Sequence, residues 1–466
     1  MHEHHRLRGQ GSARSRPQAR IDDIRYAGDT GGDRAGRQGS ARTDDTQSRT
    51  HTVTGFGYAN GELCAEDVPL SSIAARFGTP CFVYSRAALE GAWRAFDGAF
   101  SGVDHLVCYA LKANSNLGVL NLFARLGSGF DIVSGGELER ALAAQGDPRK
   151  IVFSGVGKSE AEIEAGLARD ILCFNVESAS ELETIASIAA RMEKRAPVSL
   201  RVNPDVDPRT HPYISTGLKE SKFGIPFVDA HALYRRAASL PNVRVTGIDM
   251  HIGSQITELA PYRDAARRML ELVDRLQAEG IALSHIDMGG GLGIRYRDET
   301  PIALDEYAAM LVQLMRGRPQ TLLLEPGRWL VGDAGVLLAR VRYLKPGGPV
   351  GFAVIDAAMN DLLRPALYDA WHAVDAVRPR NEPARAWDIV GPVCESADFL
   401  ARGRTLALAE GDLIALRSAG AYAMAMSSNY NSRPRAAEVI VDGRAAHLVR
   451  RRESTSELFA HEAIVP

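Results

Sequence analysis

The chain has 466 residues, of which 45% are hydrophobic and 24% are charged, and its formal net charge is −2. This length exceeds the usual limit of one hydrophobic core and predicts two domains, while the near-neutral charge argues against a nucleic-acid-binding surface. With no apolar run of about 18 residues we expect no transmembrane helix, and five scattered cysteines without a C-x-x-C pair indicate a reducing, cytoplasmic compartment.

The first 50 residues differ in composition from the rest of the chain. They are rich in Arg, Gly, Ser and Asp and contain few large apolar residues. Such a segment cannot bury enough surface to offset the entropy of ordering, so we predict a disordered extension over residues 1–50. His2, His4 and His5 could bind a metal there, but an unstructured tail is the favoured interpretation and no metal site is predicted.

Both ends of the remaining chain carry strand patterns. Residues 51–84 include the strand-like stretches GYANGELCAEDV and CFVYS. After about residue 330, further strands follow one another without long helices between them. We therefore predict a β-sandwich or β-barrel domain over residues 331–466, which residues 51–84 join from the other chain end.

Between residues 85 and 330, short apolar strands alternate with amphipathic helices. Alternating strands and helices imply parallel pairing, and eight such units predict a closed (β/α)8 TIM-like barrel. An open doubly wound sheet is the alternative. The predicted strands are residues 105–114, 129–134, 151–156, 171–178, 198–204, 245–254, 284–293 and 321–328.

Polar and charged residues lie at the carboxyl ends of these predicted strands. A barrel gathers all such ends at one mouth, where the active sites of this fold lie. The residues concerned are Lys112, Asp131, Ser134, Asn175, Glu177, Arg201, Asn203, His251, Ser254, Gly289, Gly290, Gly291 and Glu325.

Lys112 is one of only seven lysines in the chain and follows an apolar run. Apolar walls would lower the pKa of its amine by desolvation, and a neutral amine condenses with carbonyl groups to form a Schiff base. An ion pair with a carboxylate such as Asp131 is the structural alternative.

Three further features complete the parts that a pyridoxal phosphate (PLP) site needs. The GGGLG stretch at 289–293 can bring backbone amides to a phosphate, although a tight turn would also need glycines. Glu325 could bind a pyridinium N–H, or be held by Arg328 for structural reasons. His251 could stack on a flat ring, or be an ordinary core histidine.

Ten motifs extend this reading across residues 55–460: YALKAN, SGFDIVSGGEL, LRVNP, HPYISTGLKESKFGI, HIGSQ, DMGGGLG, EPGR, RPALYDA, GPVCESAD and AGAYAMAMSSNYN. With these motifs in this order the chain resembles the diaminopimelate decarboxylases, a family of group IV PLP-dependent decarboxylases with the alanine-racemase-like barrel fold. The resemblance implies a homodimer with shared active sites that converts meso-2,6-diaminopimelate to L-lysine and CO2, the last step of lysine biosynthesis.

The resemblance also implies which residues bind the cofactor. Lys112 would carry PLP as a Schiff base, and His251 would stack on its ring. Asp131 and Arg201 would shape the surroundings of Lys112, while Tyr422 would touch cofactor and substrate. The remaining residues, which would bind the phosphate and the ring nitrogen, are Ser254, Gly289, Gly290, Gly291, Glu325, Pro326, Gly327 and Arg328.

For the substrate, the resemblance implies that Arg328, Arg364 and Tyr368 bind the distal carboxylate. Cys394 and Glu395 would enter the site from the second subunit. Cys394 would then be the proton donor after CO2 leaves.

Other functions remain as alternatives. Ornithine, arginine and carboxynorspermidine decarboxylases share much of this site, but Arg364 with Tyr368 and Glu395 favours a distal end that carries both an amine and a carboxylate. A racemase is disfavoured because alanine racemases place an arginine, not an acid such as Glu325, against the ring nitrogen. A non-catalytic PLP-binding protein is disfavoured by the domain over 331–466.

A few conspicuous residues receive no chemical role. Lys219 and Lys222 are interpreted as part of a mobile lid or as solvated charges. Trp371, His372 and Trp387 are interpreted as packing or surface residues.

Overall fold

The structure, a computed structural model, describes residues 55–207 and 222–466. The predicted extension over residues 1–50, with His2, His4 and His5, lies outside the described residues, as does Lys219. Within the two described ranges, no helix combines the length and the apolar character needed to cross a membrane.

The described chain opens with a small antiparallel sheet that leads into a buried strand and a long helix. These elements are β1 Phe56–Ala59, β2 Glu62–Ala65, β3 Val68–Pro69, α1 Leu70–Phe77, β4 Cys81–Ser85 and α2 Arg86–Ala99. All five residues of β4 are buried. Ser85 ends β4 and caps α2, since its Oγ accepts a hydrogen bond from the Ala88 amide at 3.1 Å.

Eight parallel strands then close into a barrel. The strands of this region are β5 His105–Ala110, β6 Gly129–Ile132, β7 Ile151–Phe153, β8 Cys173–Val176, β9 Ala196–Asn203, β10 Ile225–Pro226, β11 Val243–Asp249, β12 His285–Asp287 and β13 Thr321–Leu324. The two-residue β10 pairs only with β9, and the other eight form a ring that closes where β13 pairs with β5. The predicted TIM-like barrel is confirmed, and the open doubly wound sheet is excluded.

Helices surround this ring of strands. They are α3 Leu117–Arg125, α4 Gly135–Ala143, α5 Glu160–Ala168, α6 Ala179–Arg191, α7 Phe227–Ser239, α8 Leu259–Ala278 and α9 Leu304–Met315. The earlier helix α2 packs against both α3 and α9 and completes the layer. Helix α8 buries Met269, Leu272, Val273 and Leu276 on one face, as its periodicity predicts.

A β-rich domain follows the barrel and is built from both ends of the described chain. Its elements are α10 Arg328–Val331, β14 Gly335–Lys345, β15 Val350–Ile355, α11 Arg364–Tyr368, β16 Val374–Ala376, β17 Arg385–Val390, β18 Phe399–Leu406, β19 Leu413–Leu416, β20 Ala437–Asp442 and β21 Ala445–Arg450. Strand β4 lies inside this sheet, antiparallel to β14 and parallel to β20.

Side chains pack the interior of the barrel. Cys108, Val152, Cys173 and Leu323 form a buried cluster there. His285 also points inward, and its Nε2 lies 3.6 Å from the Cys173 Sγ. The imidazole occupies the place where a side chain on the neighbouring strand would stand, so β11 needs a glycine at position 247.

We expect Gly247→Ala to destabilise the barrel by about 1 to 3 kcal/mol. A Cβ at this position would lie 2.0 Å from the Nε2 of His285. The matched control is Gly91→Ala in α2, where an added Cβ meets nothing within 4 Å. That control should stabilise the protein by roughly 0.5 to 1 kcal/mol. Thermal unfolding followed by circular dichroism measures both, and an unchanged midpoint for the 247 variant would contradict the packing argument.

Candidate active site

Lys112 lies in the short 3-10 turn Leu111–Ala113 that follows β5, rather than in the strand itself. Its Nζ donates a hydrogen bond to Asp131 Oδ2 on β6, at 2.8 Å. The Asp131 side chain is fully buried, whereas 39% of the Lys112 side chain is exposed. The buried Asp131 carboxylate therefore holds the Lys112 amine in place, and the amine remains accessible at the mouth of the barrel.

The predicted low pKa of Lys112 is wrong for this structure. Burial does lower the pKa of the amine, but the acidic groups around it, Asp131 first, outweigh that effect and raise it above its usual value. The ion pair with Asp131, left open as an alternative by the sequence, is the contact observed. The apolar run before Lys112 revealed only the desolvation, because the carboxylates come from other strands.

Three buried carboxyl groups lie together at the ends of neighbouring strands. They belong to Asp249 of β11, Asp287 of β12 and Glu325 just after β13, and their oxygens lie within 4.8 Å of one another. Burial and the neighbouring acids raise the pKa of Glu325 well above its usual value and that of Asp287 to about 7. Carboxyl groups this close cannot all be ionised, so the cluster holds protons at neutral pH.

His251 lies against the glycine loop as a neutral ring. Its Nδ1 accepts a hydrogen bond from the Gly290 amide at 3.2 Å. Burial, Arg201 and Lys112 together hold the pKa of His251 well below its usual value. A neutral imidazole suits stacking on a flat ring better than proton transfer. Arg201 itself donates to Glu177 Oε1 at 3.1 Å.

The glycine loop after β12 is a tight turn. Gly289 and Gly291 have φ angles of 65° and 99°, in the region that favours glycine. The Gly289 amide donates to Asp287 Oδ1 at 2.9 Å, and the Gly290 amide is bound to His251. The tight-turn explanation therefore applies to Gly289 and Gly291, and binding of a phosphate by this loop stays a prediction.

Arg328 does not pair with Glu325, which was one interpretation of the EPGR motif. Its Nη1 donates to the Tyr296 hydroxyl at 2.6 Å and its Nη2 to Ser254 Oγ at 3.1 Å. The guanidinium carbon also lies 4.7 Å from the centre of the Tyr422 ring. Its Nε is buried without a hydrogen-bond partner.

Arg364, at the start of α11, lies beside Arg328. Its guanidinium carbon is 4.4 Å from the centre of the Tyr296 ring, and its Nη1 is 2.9 Å from the His372 Nε2. Both arginines are buried, at 6% and 7% exposure. Among the described residues, no carboxylate lies within ion-pair distance of either one. Tyr296 had no assigned role in the sequence analysis, and no sequence signal marks it beyond its position shortly after the glycine loop.

Tyr422, Pro326 and Gly327 surround the turn that carries Lys112. The Tyr422 amide donates to Ala113 O at 2.8 Å, although Tyr422 has a φ of 54° that side chains rarely adopt. Pro326 O accepts a hydrogen bond from the Ala110 amide at 3.1 Å. A Cβ on Gly327 would lie 3.1 Å from Ala113 Cβ, so a glycine permits this close approach.

Cys394 and Glu395 lie in the loop between β17 and β18, and Cys394 is exposed. The Cys394 amide donates to Asn431 Oδ1 at 2.9 Å, and Glu395 Oε2 accepts from the Tyr430 hydroxyl at 3.4 Å. Within the described ranges, no hydrogen bond or ion pair joins this loop to Lys112 of the same chain.

Of the described residues interpreted as lid, packing or surface residues, His372 contacts the candidate site. Trp387 is buried and donates from Nε1 to Leu406 O at 3.1 Å, and Trp371 lies 4.3 Å from the Arg404 guanidinium carbon, so packing explains both. The Lys222 Nζ lies 5.1 Å from the centre of the Phe223 ring. His372 is different, because it is fully buried and contacts Arg364 at the mouth.

Known proteins with a similar sequence and the same architecture identify the family. Residues 86–332 match the pyridoxal binding domain of the pyridoxal-dependent decarboxylases. The chain is 60% identical over 411 residues to the diaminopimelate decarboxylase of Pseudomonas aeruginosa, a match covering 88% of this chain and 99% of that protein. It is 58% identical over 413 residues to that of Vibrio cholerae, covering 88% and 99%.

Similar solved structures belong to the same family. The diaminopimelate decarboxylase of Helicobacter pylori, complexed with L-lysine, superimposes with a TM-score of 0.82 at 41% identity, covering 84% of this chain and 99% of that one. The enzyme of M. jannaschii, also in complex with L-lysine, gives a TM-score of 0.85 at 36% identity, covering 89% and 99%. With identity of this extent over nearly the full length of its relatives, the chain belongs to the diaminopimelate decarboxylases, a family of PLP-dependent carboxy-lyases.

Proposed function

We propose that this chain binds PLP at the barrel mouth and converts meso-2,6-diaminopimelate to L-lysine and CO2. The observation that carries the proposal is the pair of buried arginines, Arg328 and Arg364, with no carboxylate partner among the described residues. A buried cation without a counter-charge is costly, so this pair calls for an anionic ligand. The distal carboxylate of diaminopimelate supplies that anion, and two relatives were solved with L-lysine, which retains it.

The residues at the mouth fit PLP. When bound, PLP supplies an aldehyde that condenses with amines and a ring that accepts electrons. The amine of Lys112 lies accessible at the mouth, the carboxyl of Glu325 is buried below it, and Arg328 has an unpartnered N–H. We assign Lys112 to the aldehyde, Glu325 to the ring nitrogen and His251 to the ring face. The residues assigned to the phosphate and its surroundings are Ser254, Gly289, Gly290, Gly291, Pro326, Gly327 and Arg328.

In the proposed mechanism the acidic cluster keeps the ring nitrogen protonated. Burial and neighbouring carboxylates raise the pKa of Glu325, which favours its protonated form. It can pass or share that proton with a ring nitrogen, which strengthens the ring as an electron acceptor. Asp131 keeps Lys112 within reach of the reacting carbon, and Arg201 balances part of the acidic charge from β9.

Arg328, Arg364 and Tyr368 orient the substrate by its distal carboxylate. This leaves the other amino acid head to face Lys112. Tyr422 contacts Arg328 and borders the Lys112 turn, so it is placed to touch both cofactor and substrate. The arrangement favours diaminopimelate over ornithine, whose distal end carries no carboxylate.

We further propose a cytoplasmic homodimer in which Cys394 and Glu395 act in the site of the second subunit. Support comes from the exposure of Cys394 and from the family to which the chain belongs. Cys394 would donate a proton to the carbon that has lost CO2. The cysteines of the described chain are all free, which suits a reducing compartment.

Lys112→Ala should lower CO2 release from meso-2,6-diaminopimelate by at least about 1,000-fold, because no other amine is placed to hold the cofactor. Lys112→Arg is the matched control, since it keeps the positive charge beside Asp131 but cannot form the Schiff base. Both variants should also lose borohydride capture of the cofactor. Full turnover by either variant would contradict the proposal, and wild-type protein that releases CO2 faster from ornithine would reverse the substrate assignment.

Glu325→Gln should lower kcat by about 100-fold to 1,000-fold, because the amide cannot supply the ring nitrogen with a proton. KM should change little, since the arginines that orient the substrate remain. Glu325→Asp keeps a carboxyl group and should retain more activity. Steady-state kinetics, with the absorbance of bound PLP as a check on loading, measure the difference. Equal activity of the Gln and wild-type proteins would exclude the role of Glu325.

Mixing inactive Lys112→Ala protein with inactive Cys394→Ala protein should restore activity. Random exchange of subunits at equal concentrations gives about one half heterodimers, each with one intact site, so about one quarter of the wild-type activity is expected. The mass in solution should be that of a dimer. No recovery after verified subunit exchange would show that Cys394 acts within its own chain or not at all.

A further inference from the structure

Tyr296 links the two buried arginines of the mouth. Its hydroxyl accepts a hydrogen bond from Arg328 Nη1 at 2.6 Å, and its ring faces the Arg364 guanidinium at 4.4 Å. One side chain therefore contacts both cations and sets their spacing. Because Tyr296 is itself buried, at 8% exposure, this contact is enclosed.

His372 holds Arg364 from the other side with a defined tautomer. The His372 Nδ1 lies 2.8 Å from the Arg417 carbonyl oxygen, which can only accept, so Nδ1 carries the hydrogen. Nε2 is then the acceptor for Arg364 Nη1 at 2.9 Å. Burial and the nearby Arg364 lower the pKa of His372 to about 3, so the ring stays neutral at physiological pH.

The partners of Arg328 and Arg364 differ in charge from those of the other cations at the mouth. Lys112 and Arg201 are paired with carboxylates, which neutralise them. Arg328 and Arg364 are held by two hydroxyls, two aromatic rings and a neutral imidazole, which fix geometry without cancelling charge. Burial and the nearby Arg328 also lower the pKa of Arg364, so its charged form gains from an incoming anion.

We propose that Tyr296 and His372 are positioning residues that hold Arg328 and Arg364 as a preformed receptor for the distal carboxylate of the substrate. A carboxylate in place of His372 would compete with the substrate for Arg364, whereas a neutral acceptor leaves the guanidinium charge available. The inference rests on the proposed function, because it assumes that the arginine pair binds this carboxylate.

The test compares two ligands of the PLP-loaded protein that differ by one group. L-lysine carries the carboxylate, and cadaverine is the same diamine without it. Titration of the cofactor absorbance gives a Kd for each. We expect His372→Leu and Tyr296→Phe each to weaken L-lysine binding by roughly 10-fold to 100-fold, the range for a hydrogen bond to a charged group. Cadaverine binding should change by less than about 2-fold.

Two controls separate positioning from folding. His372→Gln places an acceptor near the former Nε2 and should recover much of the L-lysine affinity. His231→Leu removes a histidine of α7 that pairs with Glu279, and because neither residue belongs to the proposed site it should leave both ligands unaffected. Tyr296→Phe retains the ring under Arg364, so it tests the hydroxyl even if a leucine at 372 prevents folding.

The outcomes distinguish this inference from the proposed function. If wild-type protein binds L-lysine and cadaverine equally, the arginine pair does not recognise a carboxylate. That result would contradict both the proposed substrate and the positioning role of Tyr296 and His372. If wild-type protein prefers L-lysine and the two variants keep that preference, only the positioning role is overturned. Equal loss of both ligands would show a general structural role and would also overturn it.

Discussion

Hydrogen bonds join the turn that carries Lys112, in the barrel, to the β-rich domain. The geometry of the mouth depends on these bonds. From the β-rich domain, the Tyr422 amide donates to Ala113 O at 2.8 Å. In the other direction, Asn114 Nδ2 donates to Gly420 O at 3.1 Å. These bonds cross between β5 and the segment after β19, so the lysine takes its final position only when the two domains are docked. Tyr422 adopts its unfavourable backbone conformation at the same point, where the surrounding contacts hold it.

The mouth separates charge in a way that suits a ligand with a cationic centre and an anionic end. Its floor carries an excess of buried carboxyl groups, of which Asp249, Asp287 and Glu325 form one cluster. Its rim carries Arg328 and Arg364, held by neutral partners. The floor thus stabilises positive charge on a ring nitrogen or amine, and the rim stabilises a carboxylate. Burial strengthens both effects, because water screens neither set of groups fully.

Local sequence patterns predict most of the fold, since each barrel strand and helix carries its own periodicity. The strands β16 and β18 carry weak sequence patterns, because the first has three residues and the second contains Gly403 and arginines. Single residues such as Lys112 and Glu325 were visible as polar strand ends and through the family motifs. The roles of Tyr296 and His372, and the sign of the pKa shift at Lys112, depend on side-chain contacts between separate loops and strand ends. No local pattern encodes those contacts.

The position of β4 in the middle of the sheet also sets an order of assembly during translation. This fully buried strand leaves the ribosome about 250 residues before its antiparallel partner β14, and β20 follows later still. The whole barrel is synthesised in that interval, and chains fold from the N-terminal end as they emerge. The two edges of β4 that pair with β14 and β20 therefore remain unpaired while the barrel can already close. Completion of the sheet, and with it the final placement of the lysine turn, therefore follows the synthesis of β20.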